Sequence, residues 1–130
     1  MQKIVARYMS GRTVKGQTAN FGPAAARFVV IPASGAGEPI SIEMSDLKAV
    51  FFVRDFLGDP NRKDDDAFRS DQPYNGRKLE VIFKDGEILH GTCPSYDPEQ
   101  PGFFIFPADP NSNTIKAFAV ASSVKSVRML

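Results

Sequence analysis

The sequence predicts an all-β protein made of two tandem five-stranded small barrels, related by an internal duplication and packed together. Three observations carry that expectation. Displaced by 75 positions, the chain matches itself without a gap: GRTVKGQTANFGPAAARFVVIPA from Gly11 lies on GEILHGTCPSYDPEQPGFFIFPA from Gly86. A fixed-period self-match marks a repeated structural unit. Each copy also alternates apolar and polar residues around a Gly turn, the signature of a hairpin. The copies are separated by DFLGDPNRKDDDAFRSDQPYNG (55–76), whose Asp, Pro, Gly and Asn content is turn chemistry. The expected units are residues 1–56 and 77–130, with an acidic Pro/Gly/Asp linker at 57–76.

The repeat fixes which residues do the same job twice. Gly16 meets Gly91, Pro23 meets Pro98, Phe28 meets Phe103, Pro32 meets Pro107, and Phe21 meets Tyr96. Upstream, Ile4, Ala6 and Tyr8 meet Leu79, Val81 and Phe83. Downstream, LKAVFFV (47–53) meets VKSVRML (124–130) after a slip of two residues. The runs RFVVI (27–31) and FFIF (103–106) are β-branched or aromatic and are bounded by Pro or Gly. ISIEM (40–44) and IKAFAV (115–120) alternate again, so each unit holds five short strands. Five strands in about 50 residues describe a small barrel rather than a sandwich. Helix is expected only as a single turn around Ser45–Ala49. Gly16 and Gly91 are expected where a strand bends with another backbone close by.

Composition excludes several classes of function. With 130 residues and 42% apolar content the chain can bury a core. A formal net charge of +1 gives no bulk attraction to nucleic acid or to a membrane surface. One Cys and one His provide neither an internal disulfide nor a zinc constellation, so no cofactor and no metal are expected. The DDD run at 64–66 reads as a solvated linker, since no Gly or further carboxylates follow at calcium-loop spacing. The amino terminus MQKIVARYMSGR has no apolar stretch of signal-peptide type, and no segment approaches a membrane span of roughly 20 residues. A cytoplasmic protein with no membrane partner is the expectation.

Taking Asp85-Gly86-Glu87 as a three-residue hairpin loop places Phe83 opposite Leu89, Val81 opposite Gly91, and Leu79 opposite Cys93. On that register Cys93 is a small core residue and His90 points outward beside Ile82. Residues three apart on a strand face opposite sides, so the pair cannot converge as a Cys–His nucleophile. No catalytic residue is assigned, and an enzyme is not expected. The same register sets Arg7 outward against Lys15, with Arg12 near the hairpin tip and Arg27 at the start of the third strand. Like charges facing across a ladder need an offsetting partner. Arg7, Arg12, Lys15 and Arg27 are therefore candidates for a patch facing an anion or an acidic partner. Val5 and Met9 in one unit, and Ile82 and Ile88 in the other, are apolar at outward positions. They are candidates for an interface between the units or with another chain.

LEVIFKDGEILHGTCPSYD (79–97) resembles the first half of the Sm-like fold, a five-stranded SH3-like barrel, and IVARYMSGRTVKGQTANFG (4–22) shares its frame. The chain as a whole, through GxxxxGxxxxY(D)PxxPGFFxFPAD, SNxxxxFxV and VKSVR, resembles a sparsely characterised bacterial small β-barrel domain family found alone or attached to signalling proteins. That resemblance implies no enzymatic activity. Pro101 and Ala26 stand where Sm-type proteins carry their base-reading Asn, so the frame carries over and the RNA site does not. RYMSGR (7–12) is similar to the Arg-rich stretch of PilZ domains, but NFGPAA (20–25) lacks the Ser and Gly of their cyclic-dinucleotide turn. The expected function is a non-catalytic binding module in bacterial regulation or assembly, acting on a protein partner or by self-association. The alternatives are PilZ-like cyclic-dinucleotide sensing and Sm-like RNA binding.

Overall fold

A computed structural model describes residues 1–35, 37–57, 67–68, 74 and 76–130. Ten strands follow in chain order: β1 (Gln2–Tyr8), β2 (Thr13–Thr18), β3 (Arg27–Pro32), β4 (Ile40–Glu43), β5 (Leu47–Val53), β6 (Arg77–Phe83), β7 (Ile88–Cys93), β8 (Gly102–Pro107), β9 (Thr114–Val120) and β10 (Val124–Met129). Single 3-10 turns at Met44–Asp46 and Ala121–Ser123 lead into β5 and β10. The turn expected at Ser45–Ala49 therefore ends sooner, and its second half is strand. Most of the linker, including the DDD run, lies outside the described residues.

All ten strands belong to one antiparallel sheet, in the order β10-β6-β7-β8-β9-β5-β1-β2-β3-β4. The two halves repeat the same internal order, fifth-first-second-third-fourth, and are joined where β9 of the second half pairs with β5 of the first. The sheet is thus a single open array with β4 and β10 at its ends.

Each hairpin is set by one glycine. Gly86 (φ 95°) occupies the third loop position, with its amide donating to the Phe83 carbonyl and the Phe83 amide donating to the Glu87 carbonyl, both at 2.9 Å. That is a type I turn closed by a left-handed bulge residue. Gly11 (φ 93°) repeats it between Tyr8 and Arg12. The loop is therefore Lys84-Asp85-Gly86, one residue earlier than the sequence suggests, and the ladder moves by two. Val81 faces Leu89, Leu79 faces Gly91, and Arg77 faces Cys93. A two-residue shift keeps every side chain on its face, so Cys93 is still buried. It does change neighbours. His90 stands opposite Glu80 rather than beside Ile82, and Lys15 faces Val5 while Arg7 faces Thr13.

Among the described residues two apolar clusters form, and each borrows from the other half. Phe118 and Val120 of β9 pack with Ile4, Phe28, Val50 and Phe52 of the first half. Ala49 of β5 packs with Leu79, Val81, Phe83 and Phe103 of the second. Successive residues of a strand face opposite sides. At the joint, β9 accordingly presents Phe118 and Val120 to one core and Ala117 and Ala119 to the other.

Gly16 and Gly91 occupy equivalent places in β2 and β7. A Cβ on Gly91 would lie 2.2 Å from the Phe106 carbonyl oxygen, and one on Gly16 would lie 2.2 Å from that of Ile31. The obstacle is backbone and cannot move aside cheaply. Gly91→Ala is expected to destabilise the fold by about 3 kcal/mol, in the range of overpacked sites, measured as a lowered midpoint in urea.

Candidate functional site

Cys93 and His90 both lie on β7. Cys93 is buried at the end of β7, and burial pushes its thiol above the ordinary cysteine range, which favours the thiol over the thiolate. The His90 Nε2 lies 2.9 Å from Glu80 Oε2, and Arg128 approaches the same oxygen at 3.1 Å. His90, Glu80 and Arg128 form a cross-strand row over β7, β6 and β10. The His90 hydrogen bond, aided by Arg128 and opposed by desolvation, holds the Glu80 carboxyl below its ordinary value.

A buried cation lies at the joint between the halves. Lys48 on β5 has a side chain only 4% exposed, with its ammonium 2.7 Å from Asp85 Oδ2, bonded to Glu87 Oε1, and 4.8 Å from the centre of the Phe83 ring. Both carboxylates sit at the tip of the β6–β7 hairpin, so the latch runs from the last strand of the first half to the first hairpin of the second. The Lys48 bond is the leading reason that Asp85 titrates below its usual value. Beneath it, the Ser123 hydroxyl lies 2.7 Å from the Lys48 carbonyl, which ties the second 3-10 turn to β5. Sequence reading missed this latch. The available signal was that Asp85 and Glu87 fall on Ser10 and Arg12 in the repeat, so the acidic pair is peculiar to the second half.

The four basic candidates are spread over the first half. Arg7 reaches Glu87 at 3.7 Å and lies over the Phe51 ring. Lys15 donates to the Phe56 carbonyl at 3.1 Å, Arg12 lies over Tyr8, and Arg27 pairs with Glu43 at 3.1 Å. Arg7 and Lys15 share one hairpin but are not opposite each other, which removes the like-charge clash expected of them. Among the apolar candidates, Met9 and Ile88 are each 46% exposed, while Val5 and Ile82 are half-buried in their ladders. The ladder that joins the halves, β5 with β9, contains none of these four.

Two concavities border the second half. One, of about 300 Å³, lies among Arg54, Tyr74, Thr92, Phe106, Asp109 and Thr114. The other, of about 150 Å³, runs between Tyr96, Phe103 and β10 at Val124–Val127, on the edge that no described strand pairs. Among the described residues, no group of three His, Cys, Asp or Glu side chains is placed to hold a metal, and no helix is long and apolar enough to cross a membrane.

The chain belongs to the family DUF6982, a family of unknown function, which it matches over residues 1–130. No curated protein and no solved structure matches it.

Two outcomes follow for the charged groups. Lys48→Met, which exchanges a buried ion for an apolar chain of similar length, is expected to change stability by less than about 1 kcal/mol. Asp85→Asn with Glu87→Gln leaves the ammonium buried and uncompensated and is expected to cost about 3 kcal/mol. Chemical denaturation of both variants measures the contrast. Glu80 has a depressed folded-state pKa, so its contribution to stability is present above the unfolded value of about 4.3 and is lost as pH falls through the folded one. The acid side of the Tm–pH curve is therefore expected to be shallower in Glu80→Gln than in the parent chain.

Proposed function

We propose that the chain is a non-catalytic binding module that serves bacterial regulation or assembly through protein contacts, built from two tandem five-stranded SH3/Sm-like small barrels. The observation that carries this reading is the open sheet. Its linear order leaves β4 and β10 each with one row of backbone donors and acceptors unpaired among the described strands, and such a row is a template for another chain. The barrel character of each half is supported by the repeated strand order and by the 3-10 turn that precedes each fifth strand. Cyclic-dinucleotide sensing and RNA binding gain no comparable support, since Arg7 and Arg27 of the basic set are already engaged by Glu87 and Glu43.

Thermal unfolding with cyclic dinucleotides, and separately with an RNA oligomer, tests the reading. Tm is expected to stay within about 1 °C. A true ligand at a hundred times its Kd would add about 2.7 kcal/mol, or several degrees for a chain of this size, and a shift of that kind would replace the proposal.

A further inference from the structure

The two halves carry the same groove, and in one of them it is filled. In the first half, Phe21 stacks edge-on against Phe28, with ring centres 5.2 Å apart. In the second, Tyr96 stacks edge-on against Phe103 at 4.9 Å. These pairs are equivalent in the repeat, and each forms one wall of a groove whose other wall is the fifth strand. Phe118 of β9 enters the first groove, 5.3 Å from Phe21, while β9 pairs along β5. The second groove, beside β10, stands as the 150 Å³ concavity.

Burial shows the same difference strand by strand. β5 is buried at six of its seven positions, whereas its twin β10 has four exposed positions and two half-buried ones. Lys48 is buried and its twin Lys125 is exposed. Among the described residues, β9 lies along β5 and the β6–β7 tip holds Lys48, while β10 is paired with β6 alone.

We propose that the β10 edge and the adjoining groove accept an extended segment of a partner protein, which adds as an eleventh strand and inserts an aromatic side chain between Tyr96 and Val127. The proposal rests on the interaction-module reading and names the partner's chemistry. At the filled joint, Val50 faces Phe118 and Ala49 faces Ala119. Carried through the repeat, Val127 faces the incoming aromatic and Ser126 its next neighbour. The second anchor comes from Val120, two residues beyond Phe118, so the segment sought has an aromatic at one position and an aliphatic residue two further on. Main-chain bonds along the edge would supply affinity, and the groove would supply selectivity.

The other free edge of this chain does not fit that description. Phe28 faces Ile42 in β4 as Phe103 faces Ala119 in β9, so Ser41 and Glu43 stand where Phe118 and Val120 stand. Ser41 is exposed, Glu43 is bound to Arg27, and Pro39, in the place of Lys116, has no amide hydrogen to give to a ladder. β4 is an edge finished in polar residues, and a second copy of this chain would leave the groove empty.

The test is titration of the isotope-labelled full chain with three short peptides, followed by NMR. One carries the chain's own β9 sequence (113–121), one the same sequence with Phe118→Ser, and one the β4 sequence (37–45). The β9 peptide is expected to shift the amides of Tyr96, Phe103 and Val124–Val127, and the Phe118→Ser peptide to bind at least about tenfold more weakly, as loss of a buried aromatic requires. Equal binding by the β4 peptide would overturn the assignment in favour of a second copy. Shifts confined to β4, or no shifts with any peptide, would overturn the proposal while leaving the interaction-module reading intact. Shifts with a cyclic dinucleotide or an RNA oligomer, and with no peptide, would overturn both.

Discussion

Everything in this chain turns on the pairing of β9 with β5. Two short five-stranded halves, each with edges to satisfy, meet by giving one edge of each to the other. A unit of about 50 residues buries too little surface to be secure alone. Edge-to-edge pairing answers that by making one strand serve two cores. β9 achieves this by composition, with small residues, Ala117 and Ala119, on the side of its own half and large ones, Phe118 and Val120, on the other. Four rings from both halves, Phe21, Phe52, Phe104 and Phe118, then make five edge-on or tilted contacts with centres 5.2 to 6.1 Å apart.

Charge reinforces the same joint at its rim. Burying the Lys48 ammonium costs desolvation, and the site offsets that cost with two carboxylates, a ring face and half-exposed surroundings that leave Asp85 and Glu87 partly wet. The geometry requires acid at the tip of the β6–β7 hairpin. The β1–β2 tip carries Ser10 and Arg12 at the matching positions. The acidic pair that holds Lys48 is thus present in one copy only.

Much of the fold is legible in the sequence because it is local or periodic. The strands sought at 27–31, 103–106, 40–44 and 115–120 lie within a residue or two of β3, β8, β4 and β9. Their faces are right because a period of two survives small errors. The hairpin register is displaced because DG alone does not say whether the glycine is the second or third loop residue, and only the bulge geometry decides. The joint was beyond the pattern for a different reason. Alternation tells which way a side chain points and says nothing of which strand lies beside it. Lys48 in LKAVFFV is buried by the tip of the β6–β7 hairpin, which lies 37 residues further along the chain. Phe118 likewise joins the core of the other half.

The joint also explains why duplicated halves need not have duplicated roles. An antiparallel array of two like units, joined through the fourth strand of one and the fifth of the other, always leaves the complementary fourth and fifth strands free at its ends. Those ends start with the same geometry as the joint and differ from it only in side chains. At β4 the side chains oppose pairing: a proline, an exposed serine and a glutamate already held by Arg27. At β10 the groove and its aromatic wall are kept, with Val127 beside it and Tyr96 in place of Phe21. Both rings are half-buried, and Tyr96 differs from Phe21 in carrying a hydroxyl. The two ends are therefore unlike: one is closed to further strands by its chemistry, and the other retains the shape of a joint.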